Sequence, residues 1–236
     1  MEWYDAIETV RSHLVRISTP SKTGTGFLLT SSAETQFMSI ATAAHVLEHA
    51  HAWEEPIRIT HDSTGHSTLL RPQDRAINLR AETDTAAISF KFGSLPLPTV
   101  PMSLIDYDFN VKPGVEIGWI GFPGIFSLNA CFFSGRISFW LEKDRAYLVD
   151  GVVIHGVSGA PAIFVAEDHV KVIGVVTNYY PNRQVGEALP GLGAVRDVRH
   201  FQELLQATPN LAQAQAQETP PKGATDPLPP AADENL

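Results

Sequence analysis

The stretch Ile154–Phe164 reads IHGVSGAPAIF and places Ser158 between Gly156 and Gly159, with β-branched and aromatic residues on either side. Glycines around a small polar residue are common in turns, so the stretch alone is typical of a loop that connects two strands. The alternative is that this turn presents Ser158 as a nucleophile. Residues elsewhere in the chain have to distinguish the two interpretations.

The composition is that of an ordinary globular protein. The 236 residues are 44% hydrophobic and 18% charged, which is enough apolar surface for a substantial core. The net charge of -9 argues against a nucleic-acid partner, because such binding relies on Lys and Arg to neutralise phosphates. The single cysteine, Cys131, cannot form an intramolecular disulfide, and we expect it to be a small buried side chain.

The N-terminal sequence MEWYDAIETVRSHLVRIS has neither the basic nor the apolar region of a secretory signal. No apolar run approaches the roughly 18 residues that a membrane span needs. The sequence therefore predicts a cytoplasmic protein without a membrane partner.

Short β-rich runs dominate the chain, among them QFMSIATAA, TAAISFKF, VEIGWIGF and VKVIGVVTNYY. Many short strands at nearly regular spacing predict an all-β barrel or sandwich. A proline-rich segment at about 93–114 lacks periodicity and is predicted to be a crossover between a first strand set, about 10–95, and a second, about 115–199.

The two ends of the chain have different patterns. Apolar residues recur at helical spacing in WYDAIETVRSHLVRI and in RHFQELLQA, which predicts a short helix near each end of the strand region. Residues 207–236 are rich in Pro, Ala and Gln with almost no large apolar side chains, which predicts a disordered tail.

A nucleophilic serine needs an imidazole to accept its proton and a carboxylate to hold that imidazole in the right tautomer. His45 follows the apolar run FMSIATAA, and Asp84 directly precedes the strand TAAISF. The order is His, Asp, Ser, with 39 residues from His45 to Asp84 (84 minus 45) and 74 from Asp84 to Ser158 (158 minus 84). This order excludes the α/β-hydrolase arrangement, which runs Ser, Asp, His.

Taken in this order, the motifs GTGF, TAAH, D-x-A before an apolar strand, and G-x-S-G-x-P resemble the trypsin-like serine peptidases of the chymotrypsin fold. Within these, the chain is most similar to the bacterial branch with the high-temperature-requirement proteases, over about Val10 to Leu205. The resemblance implies two antiparallel six-stranded β-barrels in one protease domain, residues 1–206. It also implies a serine endopeptidase that needs no cofactor and acts on a protein or peptide substrate.

The resemblance assigns roles to particular residues. Ser158 is the nucleophile, His45 the general base and then acid, and Asp84 the orienting carboxylate, while the N–H groups of Gly156 and Ser158 form the oxyanion hole. A glycine at 156 suits this role, because no Cβ obstructs the peptide. Where the family usually has Asn or Asp, Val157 cannot pair with a newly cut N-terminus, so we expect no proteolytic activation.

The resemblance also implies the substrate-binding residues, which are Val152, His155, Thr177, Asn178, Tyr179 and Gly191. The expected floor of the primary pocket, Val152, is apolar, which favours cleavage after small or medium apolar residues. Tyr179 stands where small residues often keep this pocket open, which favours a shallow pocket. The Thr177 hydroxyl matches one that bonds the triad aspartate in the family, although a threonine is also simply favoured in a strand.

Three hypotheses compete with or extend this assignment. The segment HVLEH, His45 to His49, matches a zinc-peptidase motif, which needs a long helix in a region rich in strands. The chain could instead be a catalytically silent or ligand-activated peptide-binding module on the same fold. Because a cytoplasmic protease endangers its own cell, a dedicated protein target is a further hypothesis.

Overall fold

The computed structural model describes residues 1–32, 36–126, 128–166, 169–184 and 187–206, so the tail predicted at 207–236 lies outside the described residues. In chain order the helices and strands are α1 (Trp3–Arg11), β1 (Leu14–Ser18), β2 (Thr23–Ser32), β3 (Phe37–Ala43), α2 (Ala44–Ala52), β4 (Ile57–His61), β5 (Ser67–Leu70), β6 (Arg75–Arg80), β7 (Thr85–Lys91), β8 (Glu116–Gly121), β9 (Cys131–Leu141), β10 (Ala146–Asp150), β11 (Pro161–Ala166), β12 (His169–Gln184), β13 (Glu187–Asp197) and α3 (Arg199–Gln206).

The first half of the chain forms one antiparallel sheet in the order β5-β4-β1-β2-β3-β7-β6. Its buried face, which includes Ile17, Ile40 and Ile88, surrounds one hydrophobic core. The sheet has seven strands where six were predicted, because the short β5 pairs with β4 as a hairpin arm. Strands β3 and β7 are neighbours in this curved sheet. His45 lies two residues after the end of β3, and Asp84 directly precedes β7.

The second half forms a closed antiparallel barrel of six strands in the order β10-β13-β12-β11-β8-β9. Trp119 and Tyr147 are fully buried in its core. The barrel matches the six strands predicted for this region. The all-β class and the two-barrel architecture with short terminal helices are confirmed.

Helix α1 precedes the first sheet in the chain but packs on the second barrel. Ala6 and Val10 are fully buried in the core that contains the barrel strands, and the Trp3 ring lies 5.2 Å from that of Phe132. This crossing ties the start of the chain to the second barrel. The predicted crossover region also packs, since Leu104 bridges to Val172 of β12.

Helix α3 links the two halves through charge pairs. The Glu203 carboxylate contacts Arg80 of the first sheet at 3.5 Å and Arg145 beside the second barrel at 2.5 Å. Two parallel bonds from the Arg145 guanidinium make this a bidentate pair, which is the stronger geometry for such contacts. In the described part of the chain, no helix is long and apolar enough to cross a membrane.

Candidate active site

The three residues predicted as a triad line one cavity between the two barrels, with a volume of about 1210 Å³. His45 is the second residue of α2, directly after β3. Asp84 ends the turn before β7, and Ser158 lies in the loop between β10 and β11. Strands from both halves therefore bring the three side chains to the same cleft.

The Asp84 carboxylate serves both the helix and the histidine. Its Oδ1 accepts a hydrogen bond from the backbone N–H of His45 at 3.0 Å, and its two oxygens lie 3.0 and 2.9 Å from His45 Nδ1. The Asp84 carbonyl oxygen also accepts from the N–H of Ala44, at 3.2 Å. Asp84 thus caps the first turn of α2, which has no other side-chain cap.

This pairing determines the histidine tautomer. A carboxylate accepts and cannot donate, so the proton of a neutral His45 ring belongs on Nδ1. Nε2 is then left as an acceptor. Asp84 holds this position with a φ of 53°, a left-handed conformation that aspartate tolerates better than most residues.

The Ser158 hydroxyl points to a different partner. Its Oγ donates to the carbonyl oxygen of Thr177 at 3.3 Å, and no hydrogen bond joins it to His45 among the described residues. Rotation about the side-chain χ1 angle moves a serine hydroxyl between staggered positions. Catalytic hydrogen bonds are often long or misaligned without substrate, so this geometry is compatible with a nucleophile.

The backbone around Gly156 is oriented by its neighbours. The His155 carbonyl oxygen accepts from the N–H of Gly124 at 2.8 Å, and no residue in the described ranges accepts from the N–H of Gly156 or Ser158. In a trans peptide the carbonyl and N–H point in opposite directions. Because the His155 carbonyl points to Gly124, the Gly156 N–H points away from Gly124. Gly124 is not among the residues that line the cavity.

Two glycines of this loop allow no side chain. Gly156 has a φ of 90°, and a Cβ there would lie 2.2 Å from the Phe122 carbonyl oxygen. Gly159 has a φ of 92°, and its Cβ would lie 1.9 Å from the carbonyl oxygen of Thr25. The loop can approach β2 and the residue after β8 this closely only because both positions are glycine.

The residues that depart from the family pattern lie in the core. Val157 and Ala160 are fully buried in the hydrophobic cluster of the second barrel. Apolar packing therefore anchors the loop at the position where the family usually has a polar side chain. The sequence left open how this loop is held, and the structure supplies packing as one answer.

All six residues predicted to bind substrate line the cavity, namely Val152, His155, Thr177, Asn178, Tyr179 and Gly191. Tyr179 lies over Gly191, whose N–H donates to the Tyr179 hydroxyl at 2.5 Å. A Cβ at position 191 would lie 2.8 Å from Cζ of that ring. The ring is therefore tethered at the cavity wall, and Val152, which lines the same cavity, is 54% exposed.

Of the two interpretations of Thr177 in this wall, the bond to Asp84 is not found. The Thr177 hydroxyl makes no hydrogen bond to Asp84, and within the described residues it is buried without any partner. Asp84 instead uses both oxygens on His45. Thr177 thus lines the cleft with a buried hydroxyl that has no partner among the described residues.

Sequence reasoning missed several residues of the cleft. Lys22, Glu48 and Asp150 also line the cavity, and Lys22 Nζ donates to the His45 carbonyl oxygen at 2.9 Å. No motif marks Lys22 or Asp150, and Glu48 was considered only as part of HVLEH. Thr25 was considered only as part of the motif GTGF, although it makes direct hydrogen bonds to the Ser158 loop.

The zinc hypothesis for HVLEH receives no support from the geometry. His45 Nδ1 is paired with Asp84, and His49 Nδ1 lies 3.1 Å from a Glu55 carboxylate oxygen, so each ring already has its own carboxylate partner. Among the described residues, no group of three His, Cys, Asp or Glu side chains is placed to hold a metal.

Comparison with solved structures identifies the fold. A serine endoprotease from Yersinia pestis superposes with a TM-score of 0.64 at 18% identity, over 88% of this chain and 68% of its own. The HtrA-type protease AlgW, solved with a tripeptide, gives 0.64 at 19% identity, over 88% of this chain and 63% of its own. Rv3671c from M. tuberculosis H37Rv, in the inactive form of a serine-to-alanine mutant, gives 0.57 at 19% identity over 92% of both chains.

The chain thus has a trypsin-like fold of the HtrA protease-domain type, as its motifs predicted. It covers less than two thirds of the AlgW chain. No protein-family model matches the chain, and no curated protein matches its sequence.

Proposed function

We propose that the chain is a serine endopeptidase that hydrolyses peptide bonds through an acyl-enzyme on Ser158. The observation that carries this proposal is the Asp84 carboxylate at 2.9 Å from His45 Nδ1, in a cleft that Ser158 also lines. Fold alone does not imply activity, so the argument depends on these residues and their geometry.

In the proposed mechanism, the Ser158 hydroxyl leaves the Thr177 carbonyl and donates to His45 Nε2. As Oγ attacks the substrate carbonyl carbon, Nε2 takes the proton, and Asp84 stabilises the resulting imidazolium. The N–H groups of Gly156 and Ser158 bind the oxyanion. His45 then gives the proton to the departing amine, and water repeats the sequence to release the acid. The scheme needs no metal or organic cofactor.

The cavity wall supports the proposed substrate class. β11 pairs with β12 only as far as Val175, so the edge from Thr177 to Tyr179 is available to a peptide strand. The tethered Tyr179 ring and the apolar Val152 favour a small or medium apolar residue before the cleaved bond. The substrate is then a protein or peptide.

Three wider predictions belong to the same proposal. We propose that the protease domain comprises residues 1–206 and that it acts in the cytoplasm. We further propose that the protease has one dedicated protein target. This is tested by comparing the cleavage products in cells that express the wild type with those in cells that express Ser158→Ala. Broad turnover of many unfolded proteins would contradict a dedicated target.

The first experiment is labelling with a fluorophosphonate probe, read by intact mass, on the wild type, Ser158→Ala and His45→Ala. We expect one adduct on the wild type, none on Ser158→Ala, and much slower formation on His45→Ala. A folded wild type that forms no adduct would contradict the proposal.

A second candidate function is a catalytically silent or ligand-activated peptide-binding module. It is favoured by the Ser158 hydroxyl, which donates to Thr177 and not to His45. Under this alternative, the protein does not react with the probe, and it binds peptides at the β12 edge without cutting them. Labelling that appears only after a peptide is added would indicate ligand activation.

A further inference from the structure

Thr25 joins the two halves of the molecule at the Ser158 loop. It lies in β2 of the first sheet and is fully buried. Its hydroxyl donates to the Gly156 carbonyl oxygen at 2.8 Å and accepts from the Phe122 N–H at 3.0 Å. Its own N–H donates to the Ser158 carbonyl oxygen at 2.8 Å. One residue therefore bonds to the carbonyls of both proposed oxyanion-hole residues.

The hydroxyl of Thr25 restrains the peptide that follows Gly156. Glycine with a φ of 90° has no Cβ to limit its rotation, so the peptides on either side of Gly156 need external restraints. The preceding carbonyl, that of His155, is held by Gly124, and the carbonyl of Gly156 is held by Thr25. The Gly156 N–H shares a peptide plane with the His155 carbonyl, which Gly124 holds, and Thr25 holds the following peptide plane. Together the two bonds restrain the backbone angles of Gly156, which join these two planes.

Thr25 also connects this loop to the strand that leads to the histidine. The Thr42 hydroxyl donates to the Thr25 carbonyl oxygen at 2.7 Å, and Thr42 lies three residues before His45. The same carbonyl oxygen occupies the space where a side chain at Gly159 would be. The contacts of Thr25 thus connect the loop that carries the nucleophile and the oxyanion donors to the strand that leads to the general base.

We propose that Thr25 is a positioning residue for the oxyanion hole, acting through the Gly156 carbonyl. This inference rests on the proposed peptidase function. Loss of one oxyanion-hole donor typically slows acyl transfer by about 100- to 1000-fold. Because Thr25 acts through a neighbouring group, Thr25→Val should slow labelling of Ser158 by a fluorophosphonate at least about tenfold and lower kcat more than it raises KM.

The experiment compares Thr25→Val, Thr25→Ser and the wild type. Valine keeps the shape but removes the hydroxyl, whereas serine retains it. Ser39→Ala is the matched control, since Ser39 is a buried hydroxyl of the same sheet that pairs with Ser89 at 2.6 Å. We expect slow labelling in Thr25→Val, near-wild-type labelling in Thr25→Ser, and wild-type labelling in Ser39→Ala.

A second measurement separates positioning from general damage. A peptide boronic acid forms a tetrahedral adduct that uses the oxyanion hole, and a product-like peptide occupies the same cleft without an adduct. Thr25→Val should bind the boronic acid at least about tenfold more weakly while its affinity for the peptide stays within about threefold. Equal weakening of both ligands would indicate a merely structural residue and overturn the inference.

The remaining outcomes are also decisive. If the wild type labels and folded Thr25→Val labels at the same rate, the inference fails and the peptidase proposal stands. If the wild type does not label, both fail. Should Thr25→Val not fold, Thr25→Cys retains the side-chain volume with only a weak S–H donor. Labelling of that folded variant at the wild-type rate overturns the inference, and slowed labelling supports it.

Discussion

Replacement of Asp84 by asparagine separates the two tasks of this side chain. Asparagine has nearly the same shape and tolerates the left-handed φ of 53° at this position. Its amide oxygen can still accept from the His45 backbone N–H, so the cap on α2 survives. The amide nitrogen then takes the place of the oxygen that lies 2.9 Å from His45 Nδ1.

The magnitude follows from the proton on the histidine ring. The amide oxygen stays with the His45 backbone N–H, and the amide N–H₂ takes the nearer position, 2.9 Å from Nδ1. Nδ1 then accepts from the amide, so the ring proton moves to Nε2, which can no longer take the Ser158 proton. The same change in a well-characterised triad lowers kcat about 10⁴-fold, or about 5 kcal/mol in activation free energy. We expect a loss of this size in Asp84→Asn, with unfolding free energy within about 1 kcal/mol of the wild type.

The assay combines fluorophosphonate labelling rates with thermal unfolding of the wild type, Asp84→Asn and Asp84→Ala. Alanine removes the cap as well, so it should also lower the free energy of unfolding by about 0.5 to 2 kcal/mol. If Asp84→Asn labels within tenfold of the wild type at unchanged stability, the carboxylate does not set the tautomer, and the reasoning is refuted.

Three further predictions concern the pocket, the loop and the interface. Tyr179→Gly should open the pocket and raise relative kcat/KM for large apolar residues before the cleaved bond by about tenfold or more, and a peptide library with unchanged preference would count against the shallow pocket. Gly159→Ala should destabilise by more than about 4 kcal/mol because its Cβ would meet the Thr25 carbonyl, and urea unfolding near wild-type values would contradict this clash. The bond from Arg145 holds the pKa of Glu203 below its ordinary value of 4.5, so its stabilisation is complete above that pH and disappears as pH falls through the lower folded-state pKa. The melting temperature of Glu203→Gln should therefore lie below that of the wild type at pH 7 and approach it in acid, and a constant difference across pH would contradict the linkage.

Local sequence patterns predicted much of the fold. Alternation of apolar and polar residues indicates strands, and apolar residues at helical spacing indicate helices. Both patterns are properties of short segments, so the strand runs and both terminal helices could be recognised without long-range information. The seventh strand was missed because β5 has four residues, too few for alternation to stand out. The triad candidates could be recognised because the chemistry requires particular residue types and because their order matches one family of peptidases that use them.

The chain's residues alone thus determined the all-β class, the crossover between two strand sets, and the residues His45, Asp84 and Ser158 as candidates for one site. The tertiary structure decided the Asp84 bonds to both helix and ring, the Ser158 hydroxyl on Thr177, and Tyr179 across Gly191. It also revealed Thr25, whose hydroxyl meets a carbonyl 131 residues away. Contacts of this kind depend on how the first sheet and the second barrel pack together, and no local periodicity carries that information.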